Sequence, residues 1–460
     1  MLNSRLALPL SVAIATGCAA ACAVKSPPDA AALQQEALAG VQVPPAWSAG
    51  VPGQITADWV GTFNDPQLSA TVNDALAHNA DLRVAAARVE QAILYARLAG
   101  AKLYPSADIL ARGGGKMSGD NSGLQGALLT ITWEIDIWGR VRSGRAAASS
   151  DAAAAQFDFA FARQALAAQV ARSWFLAIEA GQQAEIARRG IQDSESLVQL
   201  AQDRTRIGVG NEEDVYVARA NVGGFRDTLR QLELAREQAI RSLEVLLGRY
   251  PAAAAAIAPQ LPDNPGEVPV GLPSELLERR PDVVAAERRV AAAFHRIGEA
   301  KAARLPAIAL TSGVSSISSE LFVLQDRSNP IWSLGANLVA PVFRGGALKR
   351  QVEIRTAEQA QRVAEYASVG LRAFSEVENA LSSEFAAHQR EQILVQTLAD
   401  QQRALDIVRT QFKVGSTDLR FVNQRQLAMQ STEAALIRVR VEQRVQRVNL
   451  HLALGGAFIP

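Results

Sequence analysis

The sequence predicts a mainly helical protein with a small β part, built as two tandem copies of a helix–strand–strand–helix–helix unit. Three observations predict it. Ala, Leu, Arg, Gln and Glu recur throughout the 460 residues while aromatics make up only 5%, a composition suited to long helices packed through small residues. Asn79 to Pro105 aligns without a gap onto Arg280 to Pro306, about 201 positions further on, with Asp81 on Asp282, Arg88 on Arg289, Val89 on Val290 and Pro105 on Pro306. Beyond that the offset becomes about 207, matching Gly139 to Gly346, Gly208 to Gly415, Leu243 to Leu450 and Leu247-Gly248 to Leu454-Gly455. The change of offset places an insertion of about six residues in the second copy, most simply within the polar segment Ser315 to Asn329.

The elements follow in order. Arg5 precedes an apolar run, Leu6 to Ala15, then small residues with Cys18 and Cys22. The run is well below the roughly 20 residues of a spanning helix, so residues 1–21 read as a secretory signal peptide. Both cysteines lie at or just after the end of this segment and none follows Cys22, which argues against a disulfide framework. A cysteine after small residues at a cleavage site points to a lipoprotein acylated there, against the alternative of a plain signal peptide with incidental cysteines. Cys22 is the preferred acceptor because it opens the tether Cys22-Ala23-Val24-Lys25-Ser26-Pro27-Pro28, with Cys18 the alternative. Residues 22–65 form that tether and an entry segment.

The first copy spans 66–250. A helix from about Gln67 to Leu103 stops before Pro105; strands follow at Ser106–Arg112 and Leu124–Ile137, separated by turn residues at Gly113-Gly114-Gly115 and Ser118 to Ser122. A helical pattern from about Ser143 to Ile207 contains no proline, Gly208-Val209-Gly210-Asn211 breaks it, and a third helix runs from about Glu213 to Leu247. Phe225, Leu229, Leu232, Ala235, Ala239, Leu243 and Leu246 give the third helix a coiled-coil seam. After a linker at 251–272 the second copy, 273–460, repeats the order, with a strand at Ser333–Phe343 and a break at Val414-Gly415-Ser416. The unbroken helix is on the order of 100 Å long and each of the shorter two on the order of 55 Å, so two short helices match one long one.

In the second strand Leu129, Ile131, Trp133, Ile135 and Ile137 alternate with Thr130, Thr132, Glu134 and Asp136. Asn337 lies on the polar side of the strand at Ser333–Phe343. No later segment holds an apolar run of roughly 18 residues, so any membrane crossing must be by strands. Strands of about ten residues fit a tilted crossing. Four of them cannot close a cylinder, for which about eight is the minimum, and open edges in lipid cost several kcal/mol per unsatisfied backbone group. The barrel is therefore shared between copies; a dimer supplies eight strands packed shut, a trimer twelve around a lumen. Thr130, Thr132, Glu134, Asp136 and Asn337 then line the water-filled lumen, Trp133 and Ile135 face lipid, and Trp138 and Phe343 sit at the interface. Half of a soluble sandwich is the competing reading of such a strand.

Several segments together resemble one family. They are Asp58 to Leu76 (with Trp59-Val60-Gly61-Thr62-Phe63-Asn64-Asp65-Pro66-Gln67-Leu68), Trp133 to Arg140, Gly271-Leu272-Pro273-Ser274-Glu275-Leu276-Leu277-Glu278-Arg279-Arg280-Pro281-Asp282, Pro341-Val342-Phe343-Arg344-Gly345-Gly346 and Leu454-Gly455-Gly456. The chain resembles the TolC-type outer-membrane efflux proteins, in the lipoprotein branch called NodT-like, from Cys22 to about Phe458. The resemblance implies a homotrimer in the bacterial outer membrane, with a twelve-stranded barrel continued by an α-barrel tunnel of twelve helices across the periplasm. It implies the exit duct of a tripartite pump for drugs or other toxic small molecules, with a periplasmic adaptor protein and an inner-membrane RND-type transporter as partners. The family's adaptor contacts fall on Gly208, Val209, Gly210, Val414, Gly415, Ser416 and Thr417. Its acidic periplasmic gate position reads Gln424 here, and the nearest carboxylates are Asp214 and Asp418.

A net charge of +1 gives no electrostatic support for a nucleic-acid partner. His78, His295, His388 and His451 are scattered without metal-site spacing, and no phosphate loop or nucleophile motif appears. Glu134 and Asp136 lie two apart on one strand face and could pair as carboxylates, and lumen solvation is the reading preferred over catalysis. The expectation is a duct with no catalytic residues, no metal and no cofactor beyond a covalent lipid. A duct for protein secretion and a non-transport periplasmic coiled-coil lipoprotein are the alternatives.

Overall fold

The computed structural model describes residues 24–50, 53, 58–112, 125–266, 268–318 and 331–456. Cys18, Cys22, the signal peptide, the turn residues Gly113 to Ser122 and most of the expected insertion lie outside the described residues; Ser315–Ser318 of that insertion belong to a strand. In chain order the elements are α1 (Ala30–Ala37), a 3-10 turn (Gly61–Phe63), α2 (Pro66–His78), α3 (Ala80–Ala101), β1 (Ser106–Arg112), β2 (Gln125–Ile135), α4 (Arg140–Arg206) and α5 (Glu212–Leu246). Then come α6 (Pro273–Arg279), α7 (Pro281–Ala302), β3 (Ala307–Ser318), β4 (Ile331–Val339), α8 (Ala347–Lys413) and α9 (Leu419–Ala453). The two halves agree in length: α3 and α7 have 22 residues each, α4 and α8 have 67, α5 and α9 have 35.

Three sequence expectations need correction. The first helix is two: it breaks at Asn79, whose backbone turns extended (φ −60°, ψ 131°). The Asn79 side-chain oxygen accepts from Leu82 N at 2.9 Å and so caps α3. β2 ends at Ile135 and β4 at Val339, so Asp136, Ile137, Trp138 and Pro341 to Phe343 leave the sheet. There the chain turns into α4 or meets a proline that donates no ladder bond.

The chain forms two compact units. One comprises the described residues from Val24 to Val41 and those within Ala86–Asp158 and Asp282–Val369. Its antiparallel sheet has the order β1-β2-β3-β4. The register sets Trp133 beside Leu310 and Ala336, and Leu129 beside Ile109 and Val314. One face therefore carries Ile109, Leu129, Ile131, Trp133, Leu310, Trp332, Leu334 and Leu338. The other carries Asp108, Thr130, Thr132, Glu134, Thr311, Ser333 and Asn337, with Leu110, Leu128 and Val339 among them. The apolar face is open, with Trp332 75% and Leu334 86% exposed, and β1 and β4 each have an edge unpaired among the described residues. Beside the sheet the helices form a row. A Cβ on Gly100 of α3 would lie 3.4 Å from Arg145 of α4. α4 and α7 are joined by the ion pairs Asp151–Arg296 and Asp158–Arg289. The positive charge of Arg289 on α7 reaches Glu365 on α8.

The other unit comprises Gln42–Ala85, Phe159–Pro281 and Gly370–Pro460. Its core is filled by the entry segment: Trp59, Val60, Phe63, Leu68 and Val72 are buried against Val170, Trp174, Phe175 and Ile178 of α4 and Val448 of α9. Asp65 caps α2 through Gln67 N and Leu68 N and also accepts from the Trp174 indole N–H at 3.0 Å. The repeat is visible here in one recurring knot. Asn79 Nδ2 donates to the last helical carbonyl of α5, Leu246, at 2.9 Å. Its counterpart Arg280, also at a helix break, donates to Ala453 at the end of α9 at 3.1 Å. The glycines that follow, Gly248 and Gly455, take φ of 68° and 69°. A Cβ on Gly248 would come within 2.6 Å of the His78 carbonyl, so only glycine fits that approach.

Candidate functional site: a polar sheet face and two helix tips

The alternation that predicts a wetted strand face is built into the sheet. Thr130, Thr132 and Glu134 share one face, and the register carries Glu134 through Ala309 to Asn337. Thr130 Oγ1 donates to Asp108 O at 3.3 Å. The structure thus brings four of the five predicted lumen residues onto one surface. Asp136 is elsewhere. Its carboxylate accepts from Val141 N at 3.0 Å and Arg142 N at 2.8 Å, and from Arg142 Nε at 3.2 Å, satisfying the open N–H groups of α4. Glu134 is held at the same junction by two guanidinium nitrogens of Arg140, Nε at 3.0 Å and Nη2 at 2.6 Å. The two tryptophans tie the junction as well: Trp133 Nε1 donates to Leu103 O at 2.9 Å and Trp138 Nε1 to Pro306 O at 2.8 Å. The cue for Asp136 was present in the sequence, an aspartate just ahead of a helical pattern. Replacing Asp136 with alanine is expected to cost about 1–2 kcal/mol, the worth of a good N-terminal cap, measured by thermal unfolding in detergent.

The tips lie at the α4–α5 and α8–α9 turns. Gly208 and Gly415 adopt φ of 78° and 79°. Val209 N donates to Arg204 O at 3.0 Å and Ser416 N to Gln411 O at 2.9 Å, bonds that close the helix ends in Schellman fashion. No atom lies within 4 Å of a Cβ on Gly208 or Gly415, but one on Gly210 would meet Thr205 N at 2.7 Å. Thr417 holds that position in the second tip, so the two turns are related but not identical. Around them Ile207, Val209 and Val414 are exposed, Ile207 to 70%. Behind them Leu405, Phe412, Leu419 and Val422 form a small core with Ala201 and Val215, and the Arg204 guanidinium stands 4.7 Å over the Phe412 ring.

Of the gate candidates, Asp214 and Asp418 are brought together. Burial, then the negative charges of Asp418 and Glu213, push the Asp214 carboxyl above its ordinary range. Gln424 points into solvent. A tie that the sequence did not announce lies nearby: Gln426 Nε2 donates to Asp193 Oδ2 at 3.1 Å, and Arg409 reaches the same carboxylate at 3.5 Å, linking α4, α8 and α9. Among the described residues no helix is long and apolar enough to cross a membrane, and no group of three or more His, Cys, Asp and Glu is placed to hold a metal ion.

Known proteins share this arrangement. A pyoverdine export outer membrane protein, OpmQ of Pseudomonas aeruginosa, is 30% identical over 91% of this chain and 92% of its own. A cation efflux system protein, CusC of Escherichia coli, is 29% identical over 87% of this chain and 88% of its own. The crystal structure of the open state of the Neisseria gonorrhoeae outer membrane channel MtrE superposes with a TM-score of 0.82 at 27% identity, covering 91% of this chain and 96% of that one. Residues 71–249 and 272–456 match the profile of the outer membrane efflux protein family, and the chain belongs to that family.

Proposed function

We propose that this efflux protein is the outer-membrane exit duct of a tripartite pump and works as a homotrimer. One observation carries the reading. Among its described residues a single chain supplies an antiparallel sheet of four strands with an open apolar face and an unpaired edge on either side. In lipid those edges must be paired. Three copies give twelve strands, enough to enclose a bore lined by Thr130, Thr132, Glu134 and Asn337. Transport through such a duct needs no catalytic group, and the driving energy belongs to the inner-membrane RND-type transporter.

The exposed Ile207, Val209 and Val414 and the bare backbone at Gly208 and Gly415 offer a periplasmic adaptor protein a surface that helix tips can approach closely. Thr417 and Ser416 complete it in the second tip. Asp214 and Asp418, near enough for the charge of one to act on the other, stand as the gate carboxylates, with Gln424 at the family's gate position. The named relatives move cargo as unlike as pyoverdine and cations, which supports assigning cargo choice to the inner-membrane partner. In the lipoprotein reading Cys22 carries the acyl chains that hold the tether in the outer membrane.

The mature protein purified from outer membranes is expected to have the mass of three chains in detergent, each chain beginning at an acylated Cys22. A single-chain mass, or a protein that stays in solution without detergent, would overturn the duct.

A further inference from the structure

A cleft of about 390 Å³ lies between α4, α8 and α9, within the unit that holds the entry segment. That volume falls in the range of small-molecule sites. Phe161 and Arg172 line it from α4, Asn379 and Ser383 from α8, Gln446 and Asn449 from α9. Arg172 stands two positions before Trp174, and Gln446 two before Val448, about 160° around their helices from side chains buried against the entry segment. The cleft lies on the side of α4 and α9 turned from that core.

Arg172 is the charged group there that lacks a counter-charge. It is half-buried, and its partners are neutral: Nη1 donates to Asn449 Oδ1 at 2.9 Å and Nη2 to Gln169 Oε1 at 3.1 Å. A guanidinium has more N–H groups than these two bonds use, and none of the others finds an acceptor among the described residues. Burial lowers its pKa, with no carboxylate acting against that. Arg444, whose pKa burial also lowers, instead gives all three nitrogens to the carbonyl oxygens of Pro262 and Arg440. Glu376 lines the same cleft, but its carboxylate accepts from Arg280 at 2.6 Å. Nor does the fold require a cation at this position, since the repeat sets Asn379 as the counterpart of Arg172, in the same cleft.

We propose that the cleft binds small organic acids, the carboxylate accepting from the unused N–H groups of Arg172 and the apolar body lying against Phe161 and Ala380. A carboxylate takes two parallel bonds from a guanidinium, and a neutral ligand brings no charge to match it. Asn379, whose Nδ2 donates to Ser375 Oγ at 3.1 Å, keeps its carbonyl oxygen for a hydroxyl elsewhere on the acid. In the duct reading, on which this placement rests, the side turned from the entry-segment core faces the bore. The cleft then holds acidic cargo against the wall during transit.

The test uses the full chain, purified in dodecyl maltoside and titrated with para-trifluoromethylbenzoate or with the matching benzamide, followed by fluorine NMR. The benzoate is expected to bind saturably, tighter than the amide by about tenfold or more. Arg172→Gln should weaken the benzoate by about tenfold or more and leave the amide unchanged. Arg172→Lys keeps the charge but loses the planar fork, and should fall between the parent and Arg172→Gln. If Arg172→Gln does not assemble, the Arg172→Lys titration decides alone. No saturable binding by the parent, equal affinity for acid and amide, or benzoate binding untouched by the substitutions would overturn the cleft. A three-chain mass in the same samples would leave the duct standing. A single-chain mass would overturn the duct and, with it, the place of the cleft on the bore.

Discussion

Replacing Arg447 with methionine is expected to lower stability by about 3–5 kcal/mol, the loss typical of removing one partner from a buried ion pair. The Arg447 side chain on α9 is 4% exposed and faces Glu384 on α8, itself only 20% exposed. Its guanidinium also donates to the carbonyl of Gly266 in the linker, so one side chain joins two helices and the segment between the repeats. Methionine fills a similar volume but leaves the carboxylate and the carbonyl without that donor. Glu384→Gln keeps a hydrogen-bond acceptor for the arginine and should cost less. Arg447→Met combined with Glu384→Leu should recover a large part of the loss, because an apolar pair carries no desolvation penalty. Guanidinium unfolding of the parent, Arg447→Met, Glu384→Leu and the double variant at pH 7.5 closes the cycle. Additive losses in the double variant would show that the two side chains do not act as a pair.

The sequence makes the repeat visible because its punctuation is strong. Gly139 and Gly346, Gly208 and Gly415, and Gly248 and Gly455 each take positive φ, a demand few other residues meet. Helix and strand periods then fill the intervals, and the helix bounds fall within a few residues of those expected. The break at Asn79 is not legible in the same way. No proline marks it, and the partner that fixes the side chain, the Leu246 carbonyl, is 167 residues away. The end of β2 is hidden for a different reason: alternation continues through Asp136 and Ile137 after the sheet has ended, so the period cannot show that Asp136 turns back to cap α4. The polar row along α9 has no cue in the sequence to its place in the packing. Asn423, Gln426, Gln430, Gln443, Arg444, Arg447 and His451 are polar or charged, yet all are buried. Their partners come from other elements, Asp193 for Gln426, the Pro262 carbonyl for Arg444 and Glu384 for Arg447. Helical spacing describes which residues share a face, and only the packing decides what that face meets.

His451 is expected to make the protein acid-labile well above the pH at which carboxylates titrate. Its ring is 1% exposed and stacks on Trp59, with centroids 5.7 Å apart and planes 19° from parallel. Among the described residues neither ring nitrogen has a hydrogen-bond partner. Its counterpart in the first copy, Glu244, is equally buried but accepts N–H bonds from Ala253, Ala254 and Ala255. Burial, reinforced by the positive charge of Arg447, depresses the His451 pKa from 6.5 to about 3. The unfolded chain therefore takes up a proton below about pH 6.5 that the folded chain refuses until about pH 3. Stability is complete above that window and falls as the pH drops through it, at most by about 1.4 kcal/mol per unit. The loss attributable to this one side chain is about 2 kcal/mol at pH 5. His451→Phe keeps the stack on Trp59 and removes two buried nitrogens, so it should be more stable than the parent at pH 8 and should lose less on acidification. Arg447→Met should raise the histidine pKa and narrow the window. Unfolding midpoints of the parent and both variants between pH 5 and pH 8 measure the difference. Parallel curves for parent and His451→Phe would show that His451 binds the same protons in both states, and the buried neutral imidazole would have to be abandoned.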